Sequence, residues 1–93
     1  MDHHLEMTLS REEFLRLLPG AVGLAFTIGK EGAFQGRDGP MQWRIHLRPL
    51  PELRLGSVCL PRHRVEIHLD GYSEEAAAAF LARFHRGFQR GGG

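Results

Sequence analysis

The alternation of apolar and polar positions is strictest at Met41–Arg48. There Met41, Trp43, Ile45 and Leu47 share one parity, and Gln42, Arg44, His46 and Arg48 share the other. A period of two marks a strand with one buried and one solvated face. Residues Arg64–Leu69 alternate in the same way, and Asp70-Gly71 ends the run. A third strand is expected at Ala21–Ile28, which is apolar and β-compatible, and a fourth at Leu53–Leu60. In the latter, Leu53 and Leu55 fall on one parity and Val58 and Leu60 on the opposite one. A β-bulge at Gly56-Ser57 would return all four to one face. Pro49-Leu50-Pro51-Glu52 reads as a break in the ladder and Leu60-Pro61-Arg62-His63 as a tight turn. Residues 29–40, with four glycines and Pro40, read as a long connection holding a short strand piece at Ala33–Gln35.

Two segments change to helical period. Ser10 is an N-cap whose capping box is completed by Glu13, and Leu9 and Phe14 have the spacing of a hydrophobic staple. Phe14, Leu17 and Leu18 form the apolar stripe, and Pro19-Gly20 is expected to stop this helix after about two turns. The second helix starts after Ser73, with Glu74 and Glu75 at its positive end. Its apolar face is Ala77, Phe80, Leu81, Phe84 and Phe88; Arg83, Arg86 and Arg90 lie toward its C-terminus.

The order α-β-β-β-β-α predicts an α+β two-layer sandwich. Short turns imply a four-stranded antiparallel meander, and single apolar faces place both helices on one side of it. Residues 1–8 carry no helical or strand period and read as a flexible N-terminal tail, with Met7 a candidate second start. Residues 9–90 form the single domain, and Gly91–Gly93 a disordered tail.

Composition narrows the function classes. The chain has 93 residues, one cysteine and a formal charge of +1. A disulfide scaffold is therefore excluded, and one modest core is the ceiling for this length. No apolar run approaches the ~18 residues of a membrane span, and no signal-peptide core is present, so a cytoplasmic protein is expected. A pI near 8.1 falls short of the ~9 typical of dedicated nucleic-acid binders. All twelve basic residues except Lys30 are arginine, which suits bidentate contact with anions but also reflects coding bias.

Candidate chemistry is sparse. Gly29-Lys30 lacks the first glycine and the hydroxyl residue of a phosphate loop: Leu24 and Glu31 stand there. His63 and His68 have odd spacing and so face opposite sides of a strand. His46 and His68 share a side, but the strand at 53–60 is expected to separate them. No metal site, cofactor or catalytic triad is predicted, and the balance lies against an enzyme. Cys59, followed closely by Arg62, His63 and Arg64, is a possible reactive thiol, and parity points it at the open face.

The richest signal is that open face, with Arg44, His46 and Arg48 from one strand and Arg64, Glu66 and His68 from another; Arg54 is expected to join them. A solvated antiparallel face is polar in any case. As a site, it suits a non-enzymatic interaction domain that binds a protein partner or a second copy through the face or an edge strand. The alternatives are an anionic ligand or nucleic acid on the same face, and a thiol-based enzyme or carrier using Cys59. Nucleic acid is disfavoured because the aromatics fall on core positions. The uncharged segment Ala21–Ile28 is expected to be an edge, and through it or the open face a homodimer.

Overall fold

The computed structural model describes residues 1–23, 25–29 and 32–89. Leu24, the Lys30-Glu31 pair, Arg90 and the glycine tail lie outside the described residues. The chain runs β1 (Asp2–Met7), α1 (Arg11–Val22), β2 (Thr27–Ile28), β3 (Phe34–Asp38), β4 (Met41–Leu55), β5 (Val58–Asp70) and α2 (Glu74–Gly87). The sheet is antiparallel throughout, in the order β1-β5-β4-β3-β2. The α+β class holds, and β2 to β5 form the expected meander. The strands within it are distributed differently, and a fifth joins from the N-terminus.

The residues expected to be a tail are β1. His3, Leu5 and Met7 alternate inward, and the strand pairs with β5 from Asp2↔His68 to Met7↔His63. His63, expected in a turn, lies within β5, and its Nδ1 donates to the Leu9 carbonyl at 2.9 Å. This ties β5 to the start of α1. Both helix starts follow the capping chemistry: Ser10 Oγ accepts from the Glu13 amide, and Ser73 Oγ from the Ala76 amide.

Helix α1 does not stop at Pro19-Gly20. It continues to Val22 with Pro19 inside, because Ala21 and Val22 are buried in the core. That burial offsets the amide hydrogen bond Pro19 cannot make. Gly23 then caps the helix, donating to the Pro19 carbonyl. Most of the segment expected to be an edge strand is thus helix or connection, and only Thr27–Ile28 is strand.

The largest difference is at 49–63. Instead of three strands separated by a break at 49–52 and a proline turn at 60–63 there is one hairpin, a 15-residue β4 against a 13-residue β5. Gly56-Ser57 is its two-residue turn, not a bulge; Gly56 takes φ +62°, a conformation that glycine adopts without steric cost. The irregularity lies at Pro51-Glu52: Leu50 pairs with Arg62 but Leu53 with Leu60, so β4 holds one extra residue.

The core lies between the sheet and both helices. Trp43, Ile45, Val65, Ile67 and Leu69 meet Phe14, Leu18 and Val22 of α1 and Ala77 and Phe84 of α2. Phe14 and Phe88 stack with centroids 4.9 Å apart, bridging α1 to the residue that caps α2. The apolar set expected at 53–60 is absent from this core: Leu53, Leu55 and Val58 are exposed and Leu60 is half-buried.

Deleting residues 1–7 should lower the unfolding free energy by roughly 2–4 kcal/mol, from the lost burial of Leu5 and Met7. Urea denaturation followed by circular dichroism measures this; an unchanged midpoint would return these residues to the status of a tail.

Candidate functional site

The pairing register lays the open face out as a grid. Each residue of β4 whose side chain points away from the helices has a known neighbour on β5, and Gln42 and Arg44 have one on β3 as well. The first row is Arg37, Gln42 and Asp70, and the second is Gln35, Arg44, His68 and Asp2. The third is His46, Glu66 and His4, and the fourth is Arg48, Arg64 and Glu6. Beyond them come Leu50 and Arg62, then Leu53 with Leu60 and Leu55 with Val58. Strand β5 runs without a bulge, so Val58 and Leu60 share the side of Arg62, Arg64, Glu66 and His68. The four apolar residues of 53–60 do share a face, but it is the open one. Cys59 and Arg54, paired with each other, take the opposite side. The orientations expected for both are therefore reversed.

The face divides into three zones. In the middle, charges neutralise one another. Arg48 Nε donates to Glu66 Oε1 at 2.6 Å, and Arg62 donates to Glu6 at 2.5 Å. Arg64 Nε lies 3.4 Å from Glu66 Oε2 without hydrogen-bond geometry, so its buried N–H stays unsatisfied. The hydrogen bond from Arg48 holds the Glu66 carboxyl below its usual range, helped by the nearby charges of Arg48 and Arg64 and opposed by desolvation. His68 Nδ1 lies 2.7 Å from Asp2 Oδ1, and this hydrogen bond likewise lowers the Asp2 carboxyl. It engages Nδ1, so Nε2 is the ring nitrogen of His68 that Asp2 does not hold. His46 and His68 are not separated by a strand. Since β4 and β5 pair directly, their rings meet edge to face with centroids 5.8 Å apart. No group of three metal-ligating side chains occurs among the described residues.

At the β3 end the face holds a cavity of about 520 Å³. Gln35, Arg37, Gln42, Arg44, His68 and Asp70 form its polar side, and Ala25 and Phe26 contribute apolar surface, with Trp43 buried behind them. Arg37 and Arg44 are exposed and form no ion pair among the described residues. Trp43 packs so closely over Gly36 that a Cβ there would lie 2.6 Å from the indole. The indole Nε1 is buried without a partner, a deficit worth about 1–3 kcal/mol.

At the other end the hairpin projects beyond its neighbours. Strand β3 pairs with β4 only as far as Ile45, and β1 with β5 only between His63 and His68. The remaining arm carries Leu53, Leu55 and Val58 at 38%, 58% and 51% exposure. Cys59 is exposed on its other side.

The residues Arg44, His46, Arg48, Arg64, Glu66 and His68 therefore share one surface but not one environment. Arg44 and His68 line the cavity, while Arg48 and Arg64 both pair with Glu66. Sequence reasoning missed Arg37, Gln35 and the acidic side chains of β1. The available signals were the alternation through Leu5-Glu6-Met7 and the Phe34-Gln35-Gly36-Arg37 run, whose inward position is a glycine. No protein-family model, curated protein or solved structure matches this chain. No helix among the described residues is long and apolar enough to cross a membrane.

Both shifted carboxyls are lowered in the folded chain, so they contribute stability above their unfolded pKa values and lose it as pH falls through the folded ones. The urea midpoint should drop as pH is lowered below about 4. Glu66→Gln should reduce that dependence; a variant profile parallel to the parent's would remove Glu66 from this role.

Proposed function

We propose that this chain is a small non-enzymatic interaction domain that self-associates through the apolar face of its β4–β5 arm. The observation that carries the reading is the run Leu50, Leu53, Leu55, Val58 and Leu60 on one side of an unsupported two-stranded ribbon. A lone hairpin is marginal in water, and contiguous exposed apolar surface marks an interaction site.

The arm's edges are poor candidates for pairing. Pro49 and Pro51 interrupt the bare edge of β4, and Pro61 interrupts that of β5. Proline withholds the amide that strand addition requires, so the face is left as the adhesive surface. An uncharged patch is complementary to itself and needs no opposite charge on a partner. This favours a second copy of the chain in a two-fold arrangement. The Ala21–Ile28 edge has no part in the reading, since Val22 lies in the core.

Sedimentation equilibrium at micromolar concentration should give twice the chain mass of 10.5 kDa. Leu55→Asp with Val58→Asp should return the chain to monomer with unchanged circular dichroism, because both side chains are exposed. A monomer mass for the parent at every concentration would overturn self-association. A dimer unaffected by the double variant would move the interface away from the arm.

A further inference from the structure

We infer that the cavity at the β3 end of the open face is a binding site for a small amphipathic anion, a carboxylate or phosphate monoester carrying a flat apolar body. Two arginines define the anionic end. Arg37 faces Gln42, and Arg44 lies two residues further along β4, so they are diagonal neighbours on adjacent strands. Strands stand about 4.8 Å apart and diagonal positions roughly 7–8 Å, which lets two long guanidinium side chains converge on one group. Guanidinium forks match the oxygens of carboxylate and phosphate in pairs.

The contrast with the rest of the face is what makes these two arginines notable. Arg48, Arg62 and Arg64 each have a carboxylate partner, whereas Arg37 and Arg44 have none among the described residues. The polar lining holds these two cations against the single carboxylate of Asp70. Gln35 and Gln42 add amide groups, and His68, held by Asp2 through Nδ1, adds a ring nitrogen.

The apolar end is formed by Ala25 and Phe26, with the buried Trp43 behind Phe26. Phe26 is half-buried and packs its ring 6.2 Å from the Trp43 indole, which is itself buried in the core, so Phe26 alone is the aromatic wall beside the charged floor. A volume of about 520 Å³ suits a small molecule. A bare inorganic anion would use the arginines and leave this wall unused. A ring-bearing anion uses both.

Trp43 is the only tryptophan of the chain and borders the cavity, so its emission reports occupancy. Phenyl phosphate and benzoate, titrated at constant ionic strength, should change that emission saturably. Amide shifts in a nitrogen-15 spectrum should centre on 35–37, 42–44 and 68–70. Inorganic phosphate should bind at least about tenfold more weakly than phenyl phosphate, lacking the ring. Arg37→Gln with Arg44→Gln should weaken phenyl phosphate by about tenfold or more. Arg54→Gln with Arg62→Gln should leave it unchanged. Since Arg37 and Arg44 are exposed and unpaired, their replacement should preserve the free protein's circular dichroism; Arg44→Lys, which keeps the charge, gives a second variant. The site is overturned by non-saturating titrations, by shifts spread over all arginines, or by equal sensitivity to the two double variants. Equal affinity for phenyl and inorganic phosphate would overturn the amphipathic ligand. The arm variant Leu55→Asp with Val58→Asp should bind phenyl phosphate like the parent, so this test and that of self-association fail separately.

Discussion

Continuous backbone pairing of β4 with β5 fixes where nearly every consequential side chain stands. The two strands occupy the middle of the sheet, β3 adding to one and β1 to the other. Their inward residues, Trp43, Ile45, Val65, Ile67 and Leu69, are the floor on which both helices rest. Because side chains alternate strictly, committing these five to the core commits Arg44, His46, Glu66 and His68 to the opposite side. A one-residue slip would exchange the two sets. The bulge at Pro51-Glu52 makes such a slip deliberately, outside the helix-covered part, and turns Leu53 and Leu55 to the open side.

The resulting surface is graded along the hairpin. Its centre is a lattice of opposite charges paired with their neighbours, apart from the unsatisfied Arg64 Nε–H, so little is gained there by bringing in a partner. The larger uncovered features lie at the ends: aliphatic side chains on the arm, and, beside Phe26 at β3, two arginines without an ion pair among the described residues. The proposed hydrophobic association and the proposed anion site thus fall at opposite ends of one face. Neither requires the other, and Cys59, on the reverse of the arm, belongs to neither.

Much of the fold was legible because the signals were local. Ser10 with Glu13 and Ser73 with its acidic first turn mark the helix starts whatever packs around them. The parity of 41–48 and 64–69 likewise identified the polar face before the strand neighbours were known. What failed depended on long-range pairing. Proline at 49, 51 and 61 reads as interruption, yet each lies on an arm edge with no third strand to need its amide. His3 and Gly36 occupy inward positions without looking apolar, and this hid β1 and the continuation of the expected Ala33–Gln35 strand through Asp38. With them went the Asp2 partner of His68 and the Arg37 half of the cavity. The adjacency of His46 and His68 was lost for the same reason, through a strand placed between two that touch.

The most direct test of this account is the hairpin register itself, through the native thiol. Arg54 pairs with Cys59, and directly paired residues have Cα atoms about 4.5–5.5 Å apart, within reach of a disulfide. Arg54→Cys, oxidised mildly at submicromolar concentration, should form one intramolecular disulfide, seen by mass spectrometry as the loss of both free thiols in a monomeric chain. Two thiols that remain free, with circular dichroism unchanged, would contradict the continuous β4–β5 hairpin.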